Sequence, residues 1–260
     1  MKKILNLIKL EFLSITRAKF HFVLLITLAA LIGSYYLIPD KPDSSLQVVE
    51  SATVSVTVLE SHEKTSLRDL FLPILMSFEV VILGFLFVAI TMFQEKEDGV
   101  VRAYRISPSS SATYAFSKIL AWTAISCAYG LIFTAATRFR GINYSHLLIL
   151  IFASSFLMTS LGMLIAVFFN SISDWFFPGV SILVVNMLPQ IALGNPSFNP
   201  MWLRIIPGYH MAFGFKDIFS PGNSSAIQIG VFSGLFIAGL ILFVFAVLAV
   251  NAKLMKEGKQ

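Results

Sequence analysis

The 260-residue chain is 57% hydrophobic and 13% charged, with a mean hydropathy of +0.81; too little polar surface exists to cover a water-soluble domain, so the composition reads as an all-α, polytopic membrane protein. Its 19 Lys+Arg against 14 Asp+Glu give a net charge of +5, which in a membrane chain reports topology rather than an acidic partner, and nucleic-acid binding is set aside. The lone cysteine, Cys127, excludes an internal disulfide and, lying in an apolar run, reads as a small core hydrophobe.

Residues 1–19 place Ile4, Leu5, Ile8, Phe12 and Ile15 on one side of a helix and Lys2, Lys3, Lys9 and Arg17 on the other. That pattern predicts an amphipathic helix lying in the headgroup plane; an ordinary basic flank that happens to be helical is the alternative. A hydrocarbon core takes roughly 20 apolar residues as a helix. Six uncharged or nearly uncharged runs approach that length: residues 20–38, 71–93, 119–137, 147–169, 175–193 and 226–250. With no water in the core to satisfy backbone amides, helices are the solution for runs this continuous, and the six form one transmembrane domain over residues 20–250. No small-x-small cleavage site follows the first run, so it reads as a span and not as a signal peptide.

Placing the N-terminus inside puts about 12 of the 19 basic residues on the cytoplasmic side, including a tail at 251–260, and about seven on the longer outer connections. Both termini are then cytoplasmic. In the first outer connection, Thr53–Val58 alternates with the period of a strand. The last one, residues 194–225, is rich in Pro and Gly yet holds apolar pieces at 201–206 and 210–219. Too short to span, these predict a re-entrant or interfacial segment. The halves of the chain show no internal repeat, which argues against an inverted-repeat secondary transporter.

Catalytic constellations are not found. His21, His62, His146 and His210 lack the spacing of a helix-borne metal pair and read as interface anchors. Neither a Gly-x-Ser-x-Gly elbow nor a phosphate-binding loop occurs: Gly258 and Lys259 have no glycine five residues earlier. The chain therefore reads as a non-enzyme with no cofactor of its own. The acid well inside a span is Glu79, roughly eight residues or about 12 Å below the outer end of the second run. An intramembrane carboxylate is either part of a substrate or ion path or a structural hydrogen-bonding group between helices. Asn186, Pro189 and Gln190 interrupt the fifth run, and Asn186 and Gln190 are assigned with Glu79 to the path, with interhelical hydrogen bonding the alternative. The 25 phenylalanines suit a path for large apolar or amphipathic substrates, and equally a lipid-facing surface.

The richest segment is the connection at residues 94–118. It runs through Glu95, Lys96, Glu97, Asp98 and Gly99, continues with Arg102 and Arg105, breaks at Ser107 and Pro108, and passes Ser109–Ser111 on its way to Lys118 at the third run. Physically this is a short helix stopped by proline, then a serine-rich cap starting the next helix. A charged elbow of this kind suits docking of a soluble partner; a solvated loop is the plainer reading.

These residues, together with the six runs, the N-terminal amphipathic segment and the broken hydrophobic hairpin before the last run, resemble type-2 ATP-binding cassette (ABC) permeases over nearly the whole chain. Residues Phe93–Val100 also resemble permeases of the fluoroquinolone and multidrug export group. The resemblance implies a type-2 ABC exporter transmembrane fold, and a half-transporter that pairs with a second copy or a sister permease in the cell membrane. Separate ATPase subunits would bind ATP and Mg. It also implies that Glu95, Glu97, Asp98, Gly99, Arg102, Arg105 and Pro108 couple to the ATPase, with residues 170–174 a smaller second contact. A drug or lipid-like amphipath would be the cargo. An ion-coupled secondary transporter and a membrane scaffold or assembly factor are the alternatives.

Overall fold

In the computed structural model, residues 20–39, 67–101, 104, 110–138, 141–195, 198–219 and 225–255 are described. The expected interfacial helix at 1–19, the expected strand at Thr53–Val58, and Arg102, Arg105 and Pro108 lie outside them.

The described elements are all helical. Helix α1 (Phe20–Leu37) is followed by α2 (Leu67–Glu97), α3 (Ser111–Thr137), α4 (Tyr144–Ala166) and α5 (Ile172–Gly194). A 3-10 turn (Met201–Ile205) leads into α6 (Pro207–Phe219), and α7 (Ser225–Ala249) ends in a π-helical turn, Val250–Met255. Among the described residues five helices, all but α1 and α6, are long and apolar enough to cross a membrane. Helix α1 carries no Asp, Glu, Lys or Arg in its 18 residues, about 27 Å at a helical rise. The segment before α6 breaks as its prolines demand, and α6, at 13 residues, is too short to span.

The helix starts have local causes. Ser110 caps α3 by accepting from the Thr113 amide at 3.1 Å, Asn143 caps α4 through the Ser145 and His146 amides, and Ser171 caps α5 through Asp174. Helix α3 therefore begins at Ser111, eight residues before the apolar run, and carries Lys118 into the bundle. Helix α2 likewise starts before its apolar run, with Asp69 in its first turn.

Helix α4 is the centre of the bundle, packed on α2, α3, α5, α6 and α7. Apolar attraction between helices is weak in lipid, so close approach is made by small residues. On α4 the buried face carries Ser154, Ser155, Thr159, Ser160 and Gly162. Opposite it lies a π-helical turn in α2, Ile82–Phe87. Gly162 meets the Phe85 backbone of that turn so closely that a Cβ would overlap its carbonyl, and Gly84 packs on Met158, Thr159 and the Ser155 carbonyl. By contrast α5 and α7 turn large apolar side chains outward, among them Phe176, Phe177, Val184, Ile241 and Phe245.

Two layers of polar contacts fix the ends. At one end Arg68 donates from Nε to the Ile38 carbonyl at 2.8 Å, and Arg138 pairs with Asp69 at 2.5 Å, which joins the end of α3 to the start of α2 and makes them antiparallel. The other end gathers the end of α2, the start of α3 and the turn between α4 and α5.

Candidate functional site

At this second end the sequence Gln94–Gly99 leaves α2 with its side chains sorted. Glu95 turns inward: its Oε1 accepts from Lys118 Nζ at 2.6 Å and its Oε2 from the Tyr114 hydroxyl at 2.6 Å. Lys118 is wholly buried and Glu95 only 12% exposed, so each charge is stabilised mainly by the other. Lys96 points the opposite way, donating to the Ala166 carbonyl at 2.9 Å and the Phe169 carbonyl at 2.5 Å. The Ala166 carbonyl also accepts from the Phe169 amide at 3.4 Å, and both carbonyls lie at or just past the C-terminal end of α4, where a cation complements the helix dipole. Glu97 and Asp98 stay exposed. Gly99 turns the chain with φ +73, a conformation that a side chain disfavours.

The elbow is therefore tied at its base to α3 through Glu95 and to the α4–α5 turn through Lys96, with Glu97 and Asp98 exposed. The chain immediately before residues 170–174 is thus joined to the elbow through Lys96. Residue types alone suggested the acidic run; the partners Lys118, Tyr114 and Lys96 were not assigned a role, because a pairing across 23 or 70 positions leaves no mark in local sequence.

The second group lies in mid-bundle. Glu79 sits twelve residues into α2, about 18 Å along its axis, deeper than the apolar run implies because the helix begins earlier. Its side chain is buried, at 1% exposure. Oε1 accepts from Ser126 of α3 at 3.1 Å, and Ser126 in turn accepts from Ser155 of α4 at 2.8 Å. Oε2 has no hydrogen-bond partner among the described residues. Glu79 also lines a cavity of about 270 Å³ with Thr27, Ala30 and Ser34 of α1, Phe78 of α2 and Tyr129 of α3.

The other two residues expected on a path, Asn186 and Gln190, do not line this cavity. Asn186 is buried, and its Oδ1 accepts from the Gly208 amide at 3.0 Å, tethering the start of α6 to α5. A Cβ on Gly208 would overlap the Asn186 carbonyl. Gln190 is half-buried at the start of the short helical stretch Gln190–Gly194. Among the described residues no three His, Cys, Asp or Glu side chains gather as a metal site.

Residues 16–250 match the ABC-2 family transporter proteins. Fluoroquinolones export permease proteins of Mycobacterium tuberculosis strains CDC 1551 and H37Rv are each 31% identical over 129 residues, a stretch covering 48% of this chain and 53% of theirs. The chain thus spans about half the length of the relatives it matches. No solved structure matches it. A family match over most of the chain, on a helical bundle with five membrane-length helices and a buried polar middle, makes this multi-pass membrane protein a member of the ABC-2 transporter family.

Proposed function

We propose that the chain is the permease subunit of an ABC exporter, with α1 as the sixth span, both termini cytoplasmic and the cell membrane as its site. It pairs with a second copy or a sister permease and takes its energy from separate ATPase subunits that bind ATP and Mg. The interfacial helix at 1–19, the domain over 20–250, the re-entrant segment at 194–225 and the tail at 251–260 belong to this reading. So do Arg102, Arg105 and Pro108 as members of the coupling elbow, and an amphipathic cargo of the kind named for the mycobacterial relatives.

The observation that carries it is the Lys96 bridge. A push on the elbow that turned only a loop would be lost in solvent. With Lys96 holding the Ala166 and Phe169 carbonyls, and Glu95 holding Lys118, displacement at residues 97–99 moves α2, α3 and the α4–α5 turn together. Such rigid-body movement is what alternating access requires.

Co-purification from native membranes in mild detergent tests it. An ATPase subunit accompanies the wild-type chain, and replacing Glu97, Asp98 and Gly99 together releases it. If no ATPase is recovered with the wild-type chain, the reading fails. An ion-coupled secondary transporter is the competing reading, favoured by the buried Glu79; it predicts transport with every ATPase removed.

A further inference from the structure

We propose that the groove between the 3-10 turn, α6 and α7 seats the acyl chains of an anionic phospholipid, with Arg204 taking its phosphate. The inference needs only the membrane location of the chain and is independent of the export reading.

The groove begins with missing side chains. Gly230, Gly234 and Ala238 recur every fourth residue along one stripe of α7. Together with Leu157 of α4, Ile205 of the 3-10 turn and His210 of α6 they line a cavity of about 460 Å³. Glycine weakens a helix, and in a membrane it is retained where another helix must come close. Gly239 fits that rule, since a Cβ there would press on the Phe156 ring and the Leu157 backbone. At Gly230 and Gly234 a Cβ would meet nothing within 4 Å, and both residues are exposed. Their smallness serves no contact among the described residues and keeps a space open toward the bilayer. Residues 230 to 238 span about 12 Å at a helical rise. Spread over that length the cavity is a channel about 7 Å across, narrower than a helix with its side chains, about 10–12 Å. Flexible hydrocarbon chains fit such a channel and the body of a helix does not.

Charge selects the headgroup. The 3-10 turn that walls the groove exposes Met201, Trp202 and Ile205 beside Arg204, the mixture of apolar, Trp and basic residues found at a membrane–water interface. His210 donates from Nε2 to the Arg204 carbonyl at 2.8 Å, which holds the turn against α6 and sets the Arg204 backbone beside a residue of the lining. The Arg204 side chain is exposed and forms no ion pair among the described residues. Residues 144–166, 198–216 and 225–249, which supply the walls, contain no Asp or Glu, and Asp217 lies at the far end of α6. A guanidinium in this setting lacks a counter-ion and matches a phosphate, to which it can donate two parallel hydrogen bonds. A zwitterionic headgroup offers the same phosphate but brings a cation with it, so the net anionic lipid is preferred.

The test is native mass spectrometry of the delipidated full chain, titrated with phosphatidylglycerol and phosphatidylcholine of identical acyl chains. The wild type retains phosphatidylglycerol about fivefold more tightly, the worth of one basic residue facing an anionic lipid. Arg204→Gln abolishes that preference, whereas Lys216→Gln, in the last turn of α6, keeps it. Gly234→Leu, where the added side chain has open space, fills the groove and weakens retention of both lipids. Equal retention of the two lipids by the wild type overturns the proposal. So does a preference that survives Arg204→Gln or that Lys216→Gln removes equally, and so does lipid retention untouched by Gly234→Leu. If Gly234→Leu breaks a dimer of the chain and leaves lipid retention intact, the groove belongs to a second copy and the proposal falls.

Discussion

Lys118 and Glu95 stand 2.6 Å apart across the α2–α3 interface, with the lysine side chain wholly shielded. A pair this enclosed matters most when half of it is missing, because the survivor keeps its desolvation cost. Lys118→Met leaves Glu95 with only the Tyr114 hydroxyl among the described residues. The substitution lowers stability by about 3 kcal/mol, and the double variant Lys118→Met with Glu95→Leu recovers most of it. The Asp69–Arg138 pair at the other end is partly exposed, so Asp69→Asn costs about 1 kcal/mol or less and the effect shrinks with added salt. Thermal unfolding in nanodiscs measures all three variants; equal losses at the two ends contradict the argument.

Close helix contact gives a second, sharper contrast. At Gly162 an added methyl group runs into the Phe85 backbone, whereas at Gly33 in α1 it meets nothing within 4 Å. Gly162→Ala therefore destabilises by about 1–3 kcal/mol through forced separation of α4 from the π-helical turn. Gly33→Ala is neutral or slightly stabilising by helix propensity. The fraction of chain recovered as a monodisperse species after detergent extraction reads both.

The apolar runs made the helices legible in the sequence, because hydropathy over about 20 residues is a property of the segment itself. The cap of α3 was legible for the same reason: the serines at 109–111 are local, and Ser110 takes the role. What stayed hidden depends on distant partners. Nothing near residue 84 marks a π-helical turn whose shape is set by Gly162 on another helix. Glu79 stood out as an acid in an apolar run, yet Ser126, its donor 47 positions away, looks like any small residue of a span. Asn186 stood out too, but the Gly208 amide it serves lies across the proline-rich connection, and its geometry is that of a tether.

That tether yields a prediction separating structure from substrate. Asn186→Ala leaves the Gly208 amide buried without its acceptor, costing about 1–3 kcal/mol. If Asn186 only tethers, transport of chemically different cargoes falls by one common factor, matched by the drop in folded protein. Gly208→Ala reproduces the same uniform loss by pushing on the Asn186 carbonyl from the other side. Transport assays with three unlike substrates, normalised to folded protein, decide the matter: selective loss of one substrate in Asn186→Ala assigns the residue to the path.

Lys96 offers the most direct view of coupling, because its bonds to the Ala166 and Phe169 carbonyls add a polar tie between the ends of α2 and α4 to the ring contact of Phe93 with Trp175. Its stem packs near Phe93, the ammonium lying 4.9 Å from the ring centroid, so Lys96→Met keeps the apolar contact and removes only the donor. The α2 end then loses its polar tie to the α4–α5 turn and keeps apolar packing such as Phe93 on Trp175. In the exporter reading, the ATPase still binds, since Glu97 and Asp98 are untouched, and still hydrolyses ATP. Transport per ATP falls about tenfold or more, the mark of uncoupling and not of disassembly. Lys96→Arg retains a cation able to reach the helix end and restores a substantial part of the ratio. Measuring ATP hydrolysis and cargo movement in the same proteoliposomes gives that ratio directly. A parallel fall of both activities in Lys96→Met would place the lysine in ATPase attachment, and an unchanged ratio would mean that the elbow passes its motion through Glu95 and Lys118 alone.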